Sequence, residues 1–159
     1  MEDRYLYRGK RLDNGEWISG SLIHNAFVDA ETREPRYYIF NCDTSDSDCF
    51  EDMSEGLEYF CVDPSTVGQC IGLRETYVDG KYKQGDLLFV DDVVTISTYS
   101  YGEPIADYYG VLDADCFGFY LRTIDNAKIY LSDIIPGRYA HYSKHGNVHD
   151  NPELMEEEQ

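Results

Sequence analysis

Residues 62–90, VDPSTVGQCIGLRETYVDGKYKQGDLLFV, decide the fold class. Four glycines in this stretch, Gly68, Gly72, Gly80 and Gly85, punctuate short apolar pieces at intervals too close for ordinary helices. Val67 to Leu73 reads as an extended segment, and Asp79-Gly80 and Gln84-Gly85-Asp86 read as turns. Leu87 then begins a longer strand that runs to Tyr99 with a break or bulge at Asp91-Asp92. At the head of the stretch, Asp63-Pro64-Ser65-Thr66 has the chemistry of a turn or a single helical turn. Pro64 fixes φ, and the Asp63 carboxylate can accept backbone N–H bonds from the residues that follow.

The same β grammar extends outward. Tyr supplies 15 residues and Phe 7, and with Val, Ile and Thr they fall in runs of four to eight broken by Gly, Asn or Asp, as strands require. Asp13-Asn14-Gly15 predicts a type I′ hairpin that joins a strand near Arg4 to Arg11 to one near Glu16 to Ile23. Tyr37 to Phe40 and Tyr59 to Val62 are further short strands. Tyr108 to Leu112 and Phe117 to Thr123 form a second hairpin across Asp113-Ala114-Asp115. Within it, Phe119 and Leu121 alternate with Tyr120 and Arg122, as in a strand with one buried face. Ile129 to Ile134 and Tyr139 to Val148 are the last extended pieces. Asn151-Pro152-Glu153 then opens a short terminal helix with an N-cap, a first-turn proline and a dipole-matched acid, and residues 155–159 form a frayed acidic tail. No window carries convincing 3.6-residue periodicity. The expectation is an all-β fold, a closed or nearly closed antiparallel barrel with an SH3-like core and elaborations; a β-sandwich is the alternative.

Composition bounds the function. A length of 159 residues suits a single domain, with its core at about 4–150 and able to bury enough surface without disulfides or metals. The charge of −18 comes from 31 acids against 13 bases. Direct binding to nucleic acid or an anionic membrane is disfavoured, because both need Lys and Arg to neutralise phosphates. The N-terminal MEDRYLYRGKR lacks the apolar run of a signal peptide, and the apolar run Leu87–Val90 is far too short to span a bilayer, so a cytoplasmic location is expected. Five cysteines, Cys42, Cys49, Cys61, Cys70 and Cys116, include no Cys-x-x-Cys pair and read as reduced thiols, several of them buried.

Three separated groups of residues share one pattern. Arg8-Gly9-Lys10-Arg11, Asn14-Gly15-Glu16-Trp17 and Gly20 stand at the front. Val62-Asp63-Pro64, Thr66-Val67-Gly68-Gln69, Gly72-Leu73, Gly80-Lys81 and Gly85-Asp86 stand in the middle, and Gly146-Asn147-Val148 with Asn151-Pro152-Glu153-Leu154 at the end. In this order and spacing, across about 4–154, the chain resembles the YopX family of phage and prophage proteins. The resemblance implies a mainly β fold and a phage, prophage or mobile-element origin; it implies no activity, because the family is one of unknown function. The chain departs from the family pattern in its longer acidic stretch between Phe40 and Tyr59 and in Gln84 before the Gly-Asp pair. The shared residues have scaffold roles: glycines for turns, Asp86 for an Asx-type turn, and Trp17 as a core anchor beside the first hairpin.

Candidate chemistry is sparse. Asp43, Asp46, Asp48, Glu51, Asp52, Glu55 and Glu58 crowd the segment 43–58, which contains no base. Read as a calcium loop, it puts Asp46 or Asp48 where the central glycine belongs, so a solvated acidic surface loop outside the barrel is expected. That loop is also a candidate partner-binding surface, including as a nucleic-acid mimic. His141, His145 and His149 share a spacing of four, which in a strand spreads an exposed row along one face, too far apart for one ion. Asp63 with Asp79 and Lys81 superficially resembles a metal-dependent nuclease motif. No nucleophile elbow or phosphate-binding loop appears. The expected function is therefore a non-enzymatic module that binds a host or phage protein of basic surface, with no catalytic residue, metal or cofactor. A metal-dependent phosphodiesterase and a self-associating structural protein are the alternatives.

Overall fold

β-Branched and aromatic residues dominate the extended segments, and the result is a mainly β, antiparallel protein with one short α-helix among the described residues. The computed structural model describes residues 5–28, 35–41, 58–78, 81–135 and 139–156, grouped into two compact units, Met1–Cys70 and Ile71–Gln159.

The first unit contains β1 (Leu6–Lys10), β2 (Trp17–Val28), β3 (Pro35–Asn41) and β4 (Glu58–Val62), and β5 (Gly68–Arg74) begins within it. Consecutive strands pair antiparallel, and Gln69 and Gly68 of β5 pair with Tyr7 and Arg8 on the free side of β1. The sheet then turns back on itself. Arg11 bridges to Val62, the Leu12 N–H donates to the Cys61 carbonyl (2.9 Å), and the Asp63 N–H donates to the Lys10 carbonyl (2.8 Å). The outer edge of β4 is thus met by the chain leaving β1. This is a local closure of the kind a barrel uses, although the strand order remains an open series. Ile39 and Val62, both essentially inaccessible, meet over Gly9 in the interior.

The first hairpin is not the expected type I′ turn. Arg11 and Glu16 face each other across four loop residues, and of these only Gly15 has positive φ (74°), while the Asn14 side chain accepts the Glu16 N–H (3.0 Å). The 3-10 turn Pro64–Thr66 is as read: the Asp63 carboxylate accepts the Ser65 N–H (2.9 Å) and hydroxyl (2.8 Å). Trp17 is no core anchor. It is half-buried and carries the Arg8 guanidinium at 4.8 Å and the Lys10 ammonium at 5.4 Å from its ring.

The second unit contains β6 (Tyr77–Val78), β7 (Lys81–Tyr82), β8 (Leu87–Phe89), β9 (Asp92–Ser100), β10 (Glu103–Asp115), β11 (Gly118–Arg122), β12 (Lys128–Tyr130), α1 (Leu131–Ile134) and β13 (Tyr139–Asn147). Five of its strands form a sheet in the order β12-β11-β10-β9-β13, and β6 and β7 form a separate ribbon. One sheet face buries Val94, Ile96, Leu112, Leu121 and Tyr142 against Ile71, Leu88, Leu131 and Ile134.

Three readings are corrected in this unit. Asp113-Ala114-Asp115 is not a turn: it pairs with Phe119, Tyr120 and Gly118 as the end of β10, and the chain reverses at Cys116-Phe117. In β11 the single buried face fails, because Tyr120 and Leu121 are both buried, the former under the Lys128 ammonium (4.3 Å) and the Tyr130 ring (5.7 Å). The stretch expected to be extended over 129–134 becomes helical at Leu131, where Leu131 and Ile134, three residues apart, both reach the core. The break expected at Asp91-Asp92 is present, with Asp91 at φ 73°. The terminal helix is a 3-10 turn, Pro152–Met155, with no side-chain cap from Asn151. Cys61 is half-buried, Cys70 buried and Cys116 exposed, with no disulfide joining any two of them, while Cys42 and Cys49 lie outside the described residues. Among the described residues no helix is long and apolar enough to cross a membrane.

Candidate functional site

The site of interest forms where β13 ends the five-stranded sheet. An edge strand exposes main-chain N–H and C=O groups, and here residues 75–76 occupy them instead of another strand. The Thr76 N–H donates to the Tyr142 carbonyl (2.9 Å), the Tyr142 N–H donates to Thr76 Oγ1 (2.8 Å), and the Lys144 N–H donates to Glu75 Oε1 (2.8 Å). Glu75 is 9% exposed, an unusual place for a carboxylate in so acidic a chain. Close packing of Gly85 makes that place: a Cβ there would lie 2.7 Å from Val78 Cγ2, 2.8 Å from Glu75 Cβ and 2.9 Å from Glu75 Oε2. Main-chain bonds from Glu75 N–H to the Asp86 carbonyl and from Gly85 N–H to the Glu75 carbonyl fasten the base of the β6–β7 ribbon.

Register then determines what the ribbon faces. Directly paired residues share a sheet face, so Tyr139/Tyr99, His141/Ser97 and Ser143/Thr95 project opposite to the buried pair Tyr142/Ile96, and the neighbouring β10 adds Asp107 and Tyr109 to their side. On this polar, aromatic face the Tyr82 ring lies 4.6 Å from His141 and 5.2 Å from Tyr77, and the Tyr99 ring 5.1 Å from His141. Desolvation, together with the neighbouring Tyr82, raises the Tyr99 phenol above the usual range. Tyr77, Tyr82, Ser97, Tyr99, His141 and Ser143 enclose a cleft of about 250 Å³. A second cleft of about 320 Å³ shares Tyr77 and Ser143 and is bounded beyond them by Glu75, Val78 and the Lys144–Gly146 segment. Lys144 turns its ammonium away to the fully buried Asp92 (Nζ to Oδ1, 3.0 Å), whose Oδ2 accepts the Phe89 N–H (2.9 Å). Each cleft is at or below the small end of small-molecule pockets and matches a single side chain.

The three histidines take separate partners. His141, half-buried, sits among the tyrosines with Nδ1 3.4 Å from Thr76 Oγ1; His145, exposed, lies 2.8 Å from Thr95 Oγ1 and beside Tyr109; His149, half-buried beyond the end of β13, meets Asp91 Oδ2 at 3.1 Å. The expected uniformly exposed row is therefore corrected, because the ribbon and the Asp91 turn cover two of its members. No group of three or more His, Cys, Asp or Glu side chains is placed to hold a metal among the described residues.

The acidic candidates Asp43, Asp46, Asp48, Glu51, Asp52 and Glu55 lie outside the described residues, and Glu58 is the first residue of β4 rather than part of a loop. Of the nuclease-like set, Asp63 is engaged as the cap of Pro64–Thr66, Lys81 is exposed in β7, and Asp79 lies outside the described residues. Sequence reasoning missed Glu75, Tyr77, Tyr82 and Tyr99. The available signal was the alternation of Thr95, Ser97 and Tyr99 with buried Val94, Ile96 and Thr98, which marks an outward face of unusual polarity and aromatic content. Comparison of the chain with family models, with curated proteins and with solved structures finds no match.

Proposed function

We propose that the protein is a non-enzymatic binding module that receives a basic segment of another protein on the tyrosine–histidine face of its second unit. The observation that carries this reading is the union of exposed tyrosine rings with the buried Glu75 carboxylate, in a chain of net charge −18. Aromatic faces attract cations, a carboxylate beside them adds to that attraction, and the surrounding negative field steers basic partners toward the surface. Together with the resemblance to the YopX family, this suggests a phage or prophage accessory protein acting on a host or phage factor in the bacterial cytoplasm. The phosphodiesterase alternative gains no support from Asp63, whose carboxylate already bonds Ser65.

Affinity capture from bacterial lysate at low salt tests the proposal, with the Tyr82→Ala/Tyr99→Ala double variant as the comparison. The expected result is a basic protein that the unmodified chain retains, that the variant releases, and that rising salt displaces. Equal retention by both proteins, or no retained partner across several hosts, counts against the reading.

A further inference from the structure

We infer that the ligand group taken by the two clefts is the side chain of a lysine, its ammonium seated at Glu75 and its stem passing the rings of Tyr77 and Tyr82. The inference rests on the binding-module reading above and specifies its chemistry. Glu75 is 9% exposed and lines the second cleft; the Lys144 N–H occupies Oε1, and Oε2, packed close to Gly85, is the second carboxylate oxygen, so a ligand cation has one oxygen rather than two to bind. A guanidinium binds carboxylates best as a fork on two oxygens, whereas an ammonium is a compact point charge satisfied by one. The site therefore favours lysine over arginine. Ser143, common to both clefts, places a hydroxyl near the path as a second oxygen for the ammonium. The tyrosine rings supply apolar area for the four-carbon stem and π faces for the charge. The Lys144 ammonium, which would repel a ligand cation, is held 3.0 Å from Asp92 instead.

The test uses the full chain and three peptides, acetyl-Gly-Lys-Gly-amide, its arginine counterpart and its Nζ-acetyl-lysine counterpart, titrated while the NMR ring signals of Tyr77, Tyr82 and His141 are followed. The lysine peptide is expected to give saturable shifts, the arginine peptide weaker binding, and the acetylated peptide binding weaker by about tenfold or more. Glu75→Gln keeps an oxygen for the Lys144 N–H and removes the charge. It should weaken the lysine peptide by about tenfold while leaving the Lys144 amide protected from exchange. Equal binding of the acetylated peptide, or undiminished binding by a folded Glu75→Gln variant, overturns the inference. Tighter binding of the arginine peptide overturns the lysine assignment but leaves the basic-partner reading standing. Absence of shifts with both cationic peptides overturns both.

Discussion

The two units finish their sheets by different means. In the first, main chain meets main chain: the outer edge of β4 is bridged by residues 10–12 through the Leu12 and Asp63 amides. In the second, side chains do part of the work at both margins. Glu75 and Thr76 cap β13, and Asp115, at the end of β10, ties Lys128 and Tyr130 of β12. Backbone closure leaves little for a ligand to use, because both partners are occupied by the fold itself. A side-chain cap has a second oxygen and a hollow beside it, and so a margin of a sheet becomes a cleft.

The sharpest way to break the comparison is in the interiors. Ile39→Ala and Leu121→Ala each remove a fully buried side chain, and each should cost about 2–5 kcal/mol by urea unfolding. The difference lies in amide exchange. Ile39→Ala should release the Leu12 and Asp63 amides, since Ile39 and Val62 are buried together over Gly9 beside this closure. Leu121 belongs to a nine-member cluster, and its truncation should leave the Lys144 amide protected relative to global unfolding. Fully protected Leu12 and Asp63 amides in Ile39→Ala would contradict this account of the first unit.

A smaller effect is expected at the capped edge. Glu75→Ala removes the acceptor of the Lys144 N–H and should cost about 1–3 kcal/mol, with faster exchange at Lys144. A fully stable variant with an unchanged Lys144 amide would show that the cap is incidental.

The smallest effect belongs to the opposite margin and appears as pH dependence. Its hydrogen bond to the Lys128 ammonium (2.9 Å), followed by that from the Phe117 N–H, lowers the Asp115 carboxyl below the usual range, and Asp115 in turn raises Lys128. The Asp115 contribution is complete above its unfolded value of about 3.9 and is lost as pH falls through the folded value. The Lys128 contribution is complete below about 10.4 and is lost as pH rises through its folded value. The stability difference between the parent and Lys128→Met should therefore be flat from pH 5 to 8 and shrink in stronger acid. A difference that grows on acidification would reverse the assignment.

Much of the fold was legible because strands, turns and caps are local. Asp63-Pro64 announced its turn through a carboxylate two residues from the amide it accepts, and the break at Asp91-Asp92 was visible as two acids inside an apolar run. Turn type was less legible. The expected type I′ signal at Asn14-Gly15 belongs to a four-residue loop, whereas Tyr101-Gly102, between the paired residues Ser100 and Glu103, has φ of 51° and 87° in a two-residue reversal. The register of the flanking strands, set by distant packing, decides which dipeptide becomes the tip. The candidate site was hidden for the same reason: Glu75, Tyr99 and His141 are separated by tens of residues and converge only through the pairing of β9 with β13 and the bonds of residues 75–76 to β13. Charge density, a property of composition rather than of placement, points to residues 43–58, most of which lie outside the described residues.

The Glu75 cap also bears on strand-to-strand association between copies of the chain. A bare terminal strand is a template onto which a second molecule can add its own strand, the first step of a growing β-aggregate. On β13, that template is interrupted at Tyr142 and Lys144 by groups too short and too local to propagate a ladder, while the surplus of carboxylates keeps neighbouring molecules at a distance. With that repulsion reduced, as it is at high salt, the hydrogen bonds from residues 75–76 are what stands between this strand and self-pairing.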